Sequence, residues 1–254
     1  EADNWAIFST CERLKKRGNH IVTTAVEHHA VLHPMKALEA KGFEVTYLQP
    51  DEAGFISADT LKAALRPDTI LVSIMMVNNE SGAVMPIADM IRITRRLSPL
   101  ALFHTDAVQG FLKIPFKAKT LGADLISVSG HKIHGPKGVG ALYIRPGLPL
   151  PPFIHGGGQE SNFRSGTENL PGICGFAAAC AATDAQQEIA RMTEGTPVEW
   201  FEESARRCRE IYDWVQPGDE LGQEFYNAHA PFAEYQLVLS GYRLAKVLNA
   251  LFDR

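Results

Sequence analysis

The chain of 254 residues contains no apolar run near the ~20 residues that a bilayer-spanning helix requires. No membrane partner is expected. Its first residues, Glu1-Ala-Asp-Asn-Trp5, lack the charged and then apolar regions of a secretory leader and read as the start of a helix. With no initiator Met, the chain is read as a piece or a processed product of a longer protein. Charge of one sign is also lacking: the net charge is −4, with acids and bases mixed. That gives no electrostatic reason to expect nucleic acid or an anionic membrane as the main partner. Cysteine is scarce. Cys11, Cys174, Cys180 and Cys208 form no CxxC pair, and no histidine cluster joins them at metal-ligand spacing, so no metal site is expected. Scattered thiols suit a reducing, cytosol-like compartment, and each is read as a small buried hydrophobe. Repeats and low-complexity tracts are absent.

What the chain has is apolar residues, 45% of the total, enough for a sizeable core. From residue 20 to 146 two periodicities alternate. His20–Val26 reads as a strand, and Ala30–Lys41 as a helix with Val31, Met35 and Leu38 on one face and Gly42 as its stop. Val45–Leu48 is a strand, and Ser57 opens a helix running to about Leu65. Thr69–Val77 is an almost unbroken apolar run, as a strand covered on both faces would be. A helix begins near Ile87, and strands follow at Ala101–Ala107 and Leu125–Ser129. The alternation predicts an α/β architecture with a mostly parallel sheet. Only about eight residues join Ser129 to the strand Gly138–Ile144, too few for a parallel crossover, so that pair is predicted antiparallel and the sheet mixed. Pro and Gly punctuate residues 148–158 as a loop. Helix resumes near Pro171. Trp200, Phe201, Cys208, Ile211, Tyr212 and Val215 suit one helical face, and Leu237–Phe252 is a second periodic stretch. Residues 216–233 carry no readable pattern. The domain reading is a large domain over 1–180 and a helical tail over 181–254.

In such sheets, sites gather at the carboxyl ends of strands. Four strand ends here carry polar groups: Glu27-His28-His29, Asn78-Asn79-Glu80, Asp106 with Gln109, and Ser129-Gly-His131-Lys132. Together they suggest one polar pocket. They also supply the group types that pyridoxal phosphate requires. Lys132 offers an amine for a Schiff base. Asp106 can face the pyridine nitrogen and keep it protonated. His28 can stack on the ring, Asn79 and Gln109 can meet the ring oxygen, and Ser129 and His131 can hold the phosphate. His104 reads as a sheet histidine.

Thr24-Ala-Val-Glu-His28-His, Val-Asn-Asn79-Glu-Ser-Gly, His-Thr-Asp106-Ala-Val-Gln109, Ser-Gly-His-Lys132-Ile-His-Gly-Pro-Lys-Gly and Arg164-Ser-Gly-Thr167-Glu-Asn stand in that order. In this the chain resembles the cysteine desulfurases of the NifS/IscS-like group, fold-type-I pyridoxal-phosphate enzymes of the class V aminotransferase superfamily, from residue 1 to about 180. Motif position selects His28 over His29 and Asn79 over Asn78. The resemblance implies the large domain of that fold with an atypical helical tail. It implies pyridoxal 5'-phosphate as cofactor and L-cysteine as substrate, yielding L-alanine and an enzyme-bound persulfide. It further implies a homodimer in which Thr167 reaches the neighbouring subunit's phosphate, a sulfur-acceptor or iron–sulfur scaffold partner, and a cytoplasmic or organelle-matrix location. His28 would also help move protons. Three family features are not matched: a phosphate-binding Thr upstream of Glu1, a cysteine on a Ser/Gly-rich loop, and a motif for the arginine that holds the substrate carboxylate. The 254 residues alone are therefore expected to bind the cofactor weakly and not to turn over cysteine. Alternatives are a truncated paralogue acting as a dimerising scaffold, and a selenocysteine lyase or class V aminotransferase.

Overall fold

A computed structural model describes residues 1–212, 214, 219 and 222–252. The chain divides into two compact units, Glu1–Ala181 and Ala182–Arg254. The first is a layered α/β unit. Its strands are β1 (His20–Thr24), β2 (Glu44–Leu48), β3 (Thr69–Ser73), β4 (Leu102–Asp106), β5 (Leu125–Ser129) and β6 (Gly140–Ile144). They form one sheet in the order β2-β1-β3-β4-β5-β6. Every pair is parallel except β5–β6, which is antiparallel with Leu125 opposite Ile144 and Ser129 opposite Gly140. The short Ser129–Gly138 connection predicted this reversal, and the mixed sheet is what the chain forms.

The central strands are buried on both faces, so adjacent residues serve opposite cores. Ile21, Leu71, Leu102 and Leu125 pack under α1 (Ala2–Leu14) and α2 (His29–Glu39), with Trp5, Ile7, Val31, Met35 and Leu38. Val22, Val72, Phe103 and Ile126 pack with Leu61 of α3 (Ala58–Ala64) and with Met90 and Ile91 of α4 (Ile87–Leu97). Burying each such side chain contributes ~1.5–3 kcal/mol, which is why the periodic apolar positions located these helices. Ser57 caps α3 by accepting the Thr60 N–H at 3.0 Å. The apolar run 69–77 outlasts its strand. β3 ends at Ser73, yet Ile74, Met75 and Met76 stay buried, and the N–H groups of Ile74 and Met76 donate to the carbonyls of His104 and Asp106. A short helix α5 (Ala118–Leu121) completes this layer before α6 (Leu170–Met192) begins.

In the second unit, α7 (Pro197–Tyr212) and α8 (Gln223–Phe252) are helical. The stretch without a readable pattern is therefore helix from Gln223 onward, with Pro231 inside it. Val215 lies outside the described residues. Among the described residues of the face expected over 200–215, burial is not shared. Trp200 is buried, whereas Phe201, Cys208 and Ile211 are exposed. Trp200 instead anchors this unit through polar partners: its Nε1 donates to the Glu194 carbonyl at 2.6 Å, and Arg243 and Lys246 lie over its ring at 5.3 and 5.5 Å. The cysteine expectation also needs correction. Cys11 is buried, and burial pushes its thiol up to about 12, but Cys174 and Cys208 are exposed and Cys180 is half-buried.

Candidate functional site at the strand ends

The parallel strands β1, β3, β4 and β5 are neighbours, so the polar residues at their carboxyl ends line one edge of the unit. Strands lie ~4.8 Å apart, which makes that edge roughly 14 Å from β1 to β5, wide enough for a substituted pyridine ring. Asp106 is the last residue of β4 and is only 6% exposed. One carboxylate oxygen accepts the Val108 N–H at 2.9 Å; the other has no hydrogen-bond partner among the described residues. Burial, reinforced by the negative charge of Asp3, pushes the Asp106 carboxyl up to about 6, while the Val108 N–H, His104 and His28 oppose the rise. A carboxyl in this state gains from any further positive charge placed at its free oxygen.

Asp106 shares the α1 face of the sheet with His104, two residues earlier in β4. His104 is fully buried, with Nδ1 2.8 Å from the Ser73 hydroxyl and Nε2 2.9 Å from the Ser127 hydroxyl. The register explains this ladder, since Ser73 pairs with His104 and Asp106 with Ser127. Asp3 of α1 approaches His104 Nε2 at 3.5 Å. Burial raises the Asp3 carboxyl, but hydrogen bonding and charge from His104 and a hydrogen bond from Ser127 outweigh it and hold Asp3 below its ordinary value. His104 is thus the sheet histidine that the sequence suggested.

At the end of β5 the chain enters a 3-10 turn, Gly130–Ile133, which carries Lys132. Gly130 is closely packed there. A Cβ would stand 3.1 Å from Val139 Cγ1 and 3.2 Å from Phe176 Cδ2. His134 ends the turn in the left-handed region at φ 64°. Lys132 is half-buried, and its amine makes no hydrogen bond or ion pair among the described residues. The Ser129 hydroxyl and His131 Nδ1 lie 2.7 Å apart, so these two residues form one polar pair.

After β1, His28 is the N-cap of α2: its Nδ1 accepts the Ala30 N–H at 3.1 Å and its ring is exposed. After β3, Asn78 and Asn79 diverge. Asn78 is buried and builds the turn, its Oδ1 accepting the N–H groups of Glu80 and Ser81 at 2.9 and 2.8 Å. Asn79 is exposed, with its side chain uncommitted. Gln109, half-buried, accepts from Lys113 Nζ at 3.4 Å. The structure therefore brings His28, Asn79, Asp106, Gln109, Ser129, His131 and Lys132 to the strand-end edge. Thr167 is exposed on the loop before α6. Arg164, in the same motif, forms a bidentate pair with Glu1, at 2.7 Å through Nε and 3.1 Å through Nη2. Two concave regions lie elsewhere. One of about 380 Å³ includes Trp200, Glu203 and Arg243 of the second unit. A second of about 420 Å³ lies between α3 and α4, beside Arg92 and Arg96. Neither touches the strand ends. Among the described residues no three His, Cys, Asp or Glu side chains form a metal-binding group, and no helix is long and apolar enough to cross a membrane.

Sequence reasoning assigned no separate role to Glu27 and none to Asp3, both of which the structure buries beside these strand ends. The signal for Asp3 was available: a carboxylate on the buried face of α1, between apolar positions. Glu27 was visible only as one polar residue among several at the end of β1.

A mixed α/β sheet with its polar residues gathered beyond the parallel strands matches the model for aminotransferase class-V over residues 1–196, and the chain belongs to that family. The family is pyridoxal-phosphate-dependent. Within it the similarity is to cysteine desulfurases. The chain is 48% identical over 214 residues to cysteine desulfurase IscS of Dictyoglomus turgidum, covering 84% of this chain and 54% of that protein. It is 48% identical to cysteine desulfurase IscS of Methanosarcina thermophila, covering 76% of this chain and 47% of that protein. Among solved structures, a NifS-like protein superposes with a TM-score of 0.72 at 45% identity, over 76% of this chain and 54% of its own. A structure of SspA in complex with cysteine superposes at 0.68 and 42% identity, over 71% of this chain and 52% of its own. The chain spans about half the length of the curated relatives it matches. A second model, S1/P1 nuclease, matches residues 163–253, well under half of the chain.

Proposed function

We propose that this chain supplies the cofactor-holding part of a pyridoxal-phosphate-dependent cysteine desulfurase that acts on L-cysteine as a homodimer. The observation that carries the reading is Asp106: a buried carboxylate with one free oxygen at the end of β4, between the His28 cap on one side and the Lys132 turn on the other. When bound, pyridoxal phosphate supplies an electron sink for bonds at the α-carbon of an amino acid. The residues of the chain would do the rest. Asp106 would keep the ring nitrogen protonated, and that cation would in turn stabilise the buried carboxylate as an anion. Lys132 Nζ, uncommitted to any ion pair, would hold the cofactor covalently and carry a proton to and from the substrate. The exposed His28 ring would cover the cofactor face. Asn79 and Gln109 would meet the ring oxygen, and Ser129 with His131 would bind phosphate. Thr167, by its exposed position, would complete the phosphate site of the neighbouring subunit. The sulfur would pass to an acceptor or iron–sulfur scaffold protein, in the cytoplasm or an organelle matrix. No residue of these 254 is assigned as the sulfur-carrying cysteine or the substrate-carboxylate arginine, so the chain alone is expected not to turn over.

The test is titration of the chain with pyridoxal phosphate, followed by borohydride reduction and peptide mapping. Label at Lys132, abolished in Lys132→Ala, is expected. Label at another lysine in the native chain, or persisting in the variant, overturns the assignment.

A further inference from the structure

Two loops meet beside the strand-end edge, the one after β1 that carries His28 and the one after β3 that carries Asn79. They are joined by two hydrogen-bonded contacts that cross between them. Glu27 Oε1 accepts the Met75 N–H at 2.9 Å while also accepting the Thr24 hydroxyl at 2.9 Å. Asn78 Nδ2 donates to the Val26 carbonyl at 2.8 Å while Asn78 Oδ1 holds the Glu80 and Ser81 N–H groups. Glu27 and Asn78 are both buried, and each sits next in sequence to a residue of the site, His28 and Asn79.

We propose that Glu27 and Asn78 form a clasp between these loops that positions the His28 ring and the Asn79 amide over the cofactor site. Neither residue touches the reacting atoms; both act through their neighbours. The proposal rests on the reading of the strand-end edge as a cofactor site. Several features support it. Thr24 ends β1 and Met75 follows β3, so the Glu27 carboxyl fixes the second loop to the first where both leave the sheet. Val26, held by Asn78, lies two residues from His28, whose ring is locked in one orientation by the Ala30 N–H. That bond requires an unprotonated Nδ1, so the neutral ring carries its proton on Nε2. Glu27 Oε2 is buried without a partner, and burial pushes the carboxyl up to about 8. The clasp therefore works as a neutral acid through Oε1. A Gln can reproduce it, because the amide oxygen accepts the same two donors.

The experiment compares native chain, Glu27→Ala, Glu27→Gln and Thr24→Val, with 15N-labelled histidine and His28 assigned by His28→Gln. The first readout needs no cofactor: the tautomer and line width of the His28 ring. Native chain and Glu27→Gln should show the single Nε2–H form. Glu27→Ala should show averaged tautomers, and Thr24→Val, which removes the Thr24 hydroxyl's bonds to the Glu27 carboxyl and to the Val26 N–H, an intermediate pattern. The second readout is the apparent affinity for pyridoxal phosphate, expected to fall roughly tenfold in Glu27→Ala, as for loss of one buried hydrogen bond, and to stay within about threefold in Glu27→Gln. A His28 signal unchanged in Glu27→Ala overturns the clasp. So does Glu27→Gln behaving like Glu27→Ala, which would assign Glu27 a role through its charge. If Glu27→Ala does not fold, Thr24→Val decides, and a native His28 pattern there overturns the proposal. Native chain that takes up no pyridoxal phosphate defeats the cofactor reading alone, and the ring signal still judges the clasp.

Discussion

Glu27→Gln should flatten the pH dependence of stability of the sheet unit. The Glu27 carboxyl is enclosed between the loops after β1 and β3, with Oε1 doubly hydrogen-bonded and Oε2 unpartnered. Burial moves it from 4.5 up to about 8; the bonds from Met75 and Thr24 oppose the rise, and the charges of Asp106 and Asp3 add to it. The folded chain thus keeps a proton that the unfolded chain releases. Its stabilising contribution is complete below pH 4.5 and is lost as pH rises through about 8. At ~1.4 kcal/mol per pH unit the whole loss is about 5 kcal/mol. Asp106 has the same sign, from 3.8 up to about 6, so its slope is spent by about pH 6. Between pH 6 and 8 the Glu27 part of the slope amounts to about 2–3 kcal/mol. His20 in β1, whose pKa burial lowers from 6.5, gives a slope of the opposite sign up to about pH 6.5 and is common to both chains, so it cancels in the comparison. Urea unfolding of the cofactor-free chain, followed by hydrogen exchange of β1, β3 and β4 peptides, isolates the sheet unit from the second unit. Native chain should lose about 2–3 kcal/mol between pH 6 and 8, and Glu27→Gln less than about 1 kcal/mol. Equal slopes would refute a protonated Glu27.

Asp106→Asn keeps an oxygen for the Val108 N–H but removes the charge; affinity for pyridoxal phosphate, read by absorbance titration, should fall at least roughly tenfold, and unchanged affinity removes Asp106 from the site. Asp124 is fully buried and accepts from Arg95 Nη2 at 2.6 Å, the Phe103 N–H at 2.7 Å and Arg145 Nε at 2.7 Å, tying α4 and β4 to the residue that follows β6. Asp124→Ala should therefore destabilise by about 2–4 kcal/mol in denaturant melts, with both guanidiniums being partly exposed and so only partly stranded. A loss under about 1 kcal/mol would show that the network holds little.

The pattern of the sequence determined the layers. Strands buried on both faces read as apolar runs, helices covering one face read with a 3.6 period, and a connection of about eight residues could only reverse direction; each is a local consequence of backbone geometry. The same logic placed Asp106 and Ser129 at the carboxyl ends of β4 and β5 and Lys132 in the turn just beyond. The second unit was legible only in part. Phe201, Cys208 and Ile211 are periodic yet exposed, and Pro231 concealed a helix that runs through it. Tertiary structure alone decided the rest. Nothing in Thr-Ala-Val-Glu-His distinguishes Glu27 from a surface acid until Met75, 48 positions away, brings its N–H to the carboxyl. Motif position selected Asn79 over Asn78, but only the turn shows how the two differ physically: Asn78 is buried and builds the loop, whereas the Asn79 side chain is exposed and uncommitted. Asp3 gains its meaning from β4 laying His104 beneath α1. Hydrogen bonds between residues distant in the chain depend on where strands are placed in the sheet, and strand order is set by packing that no local pattern encodes.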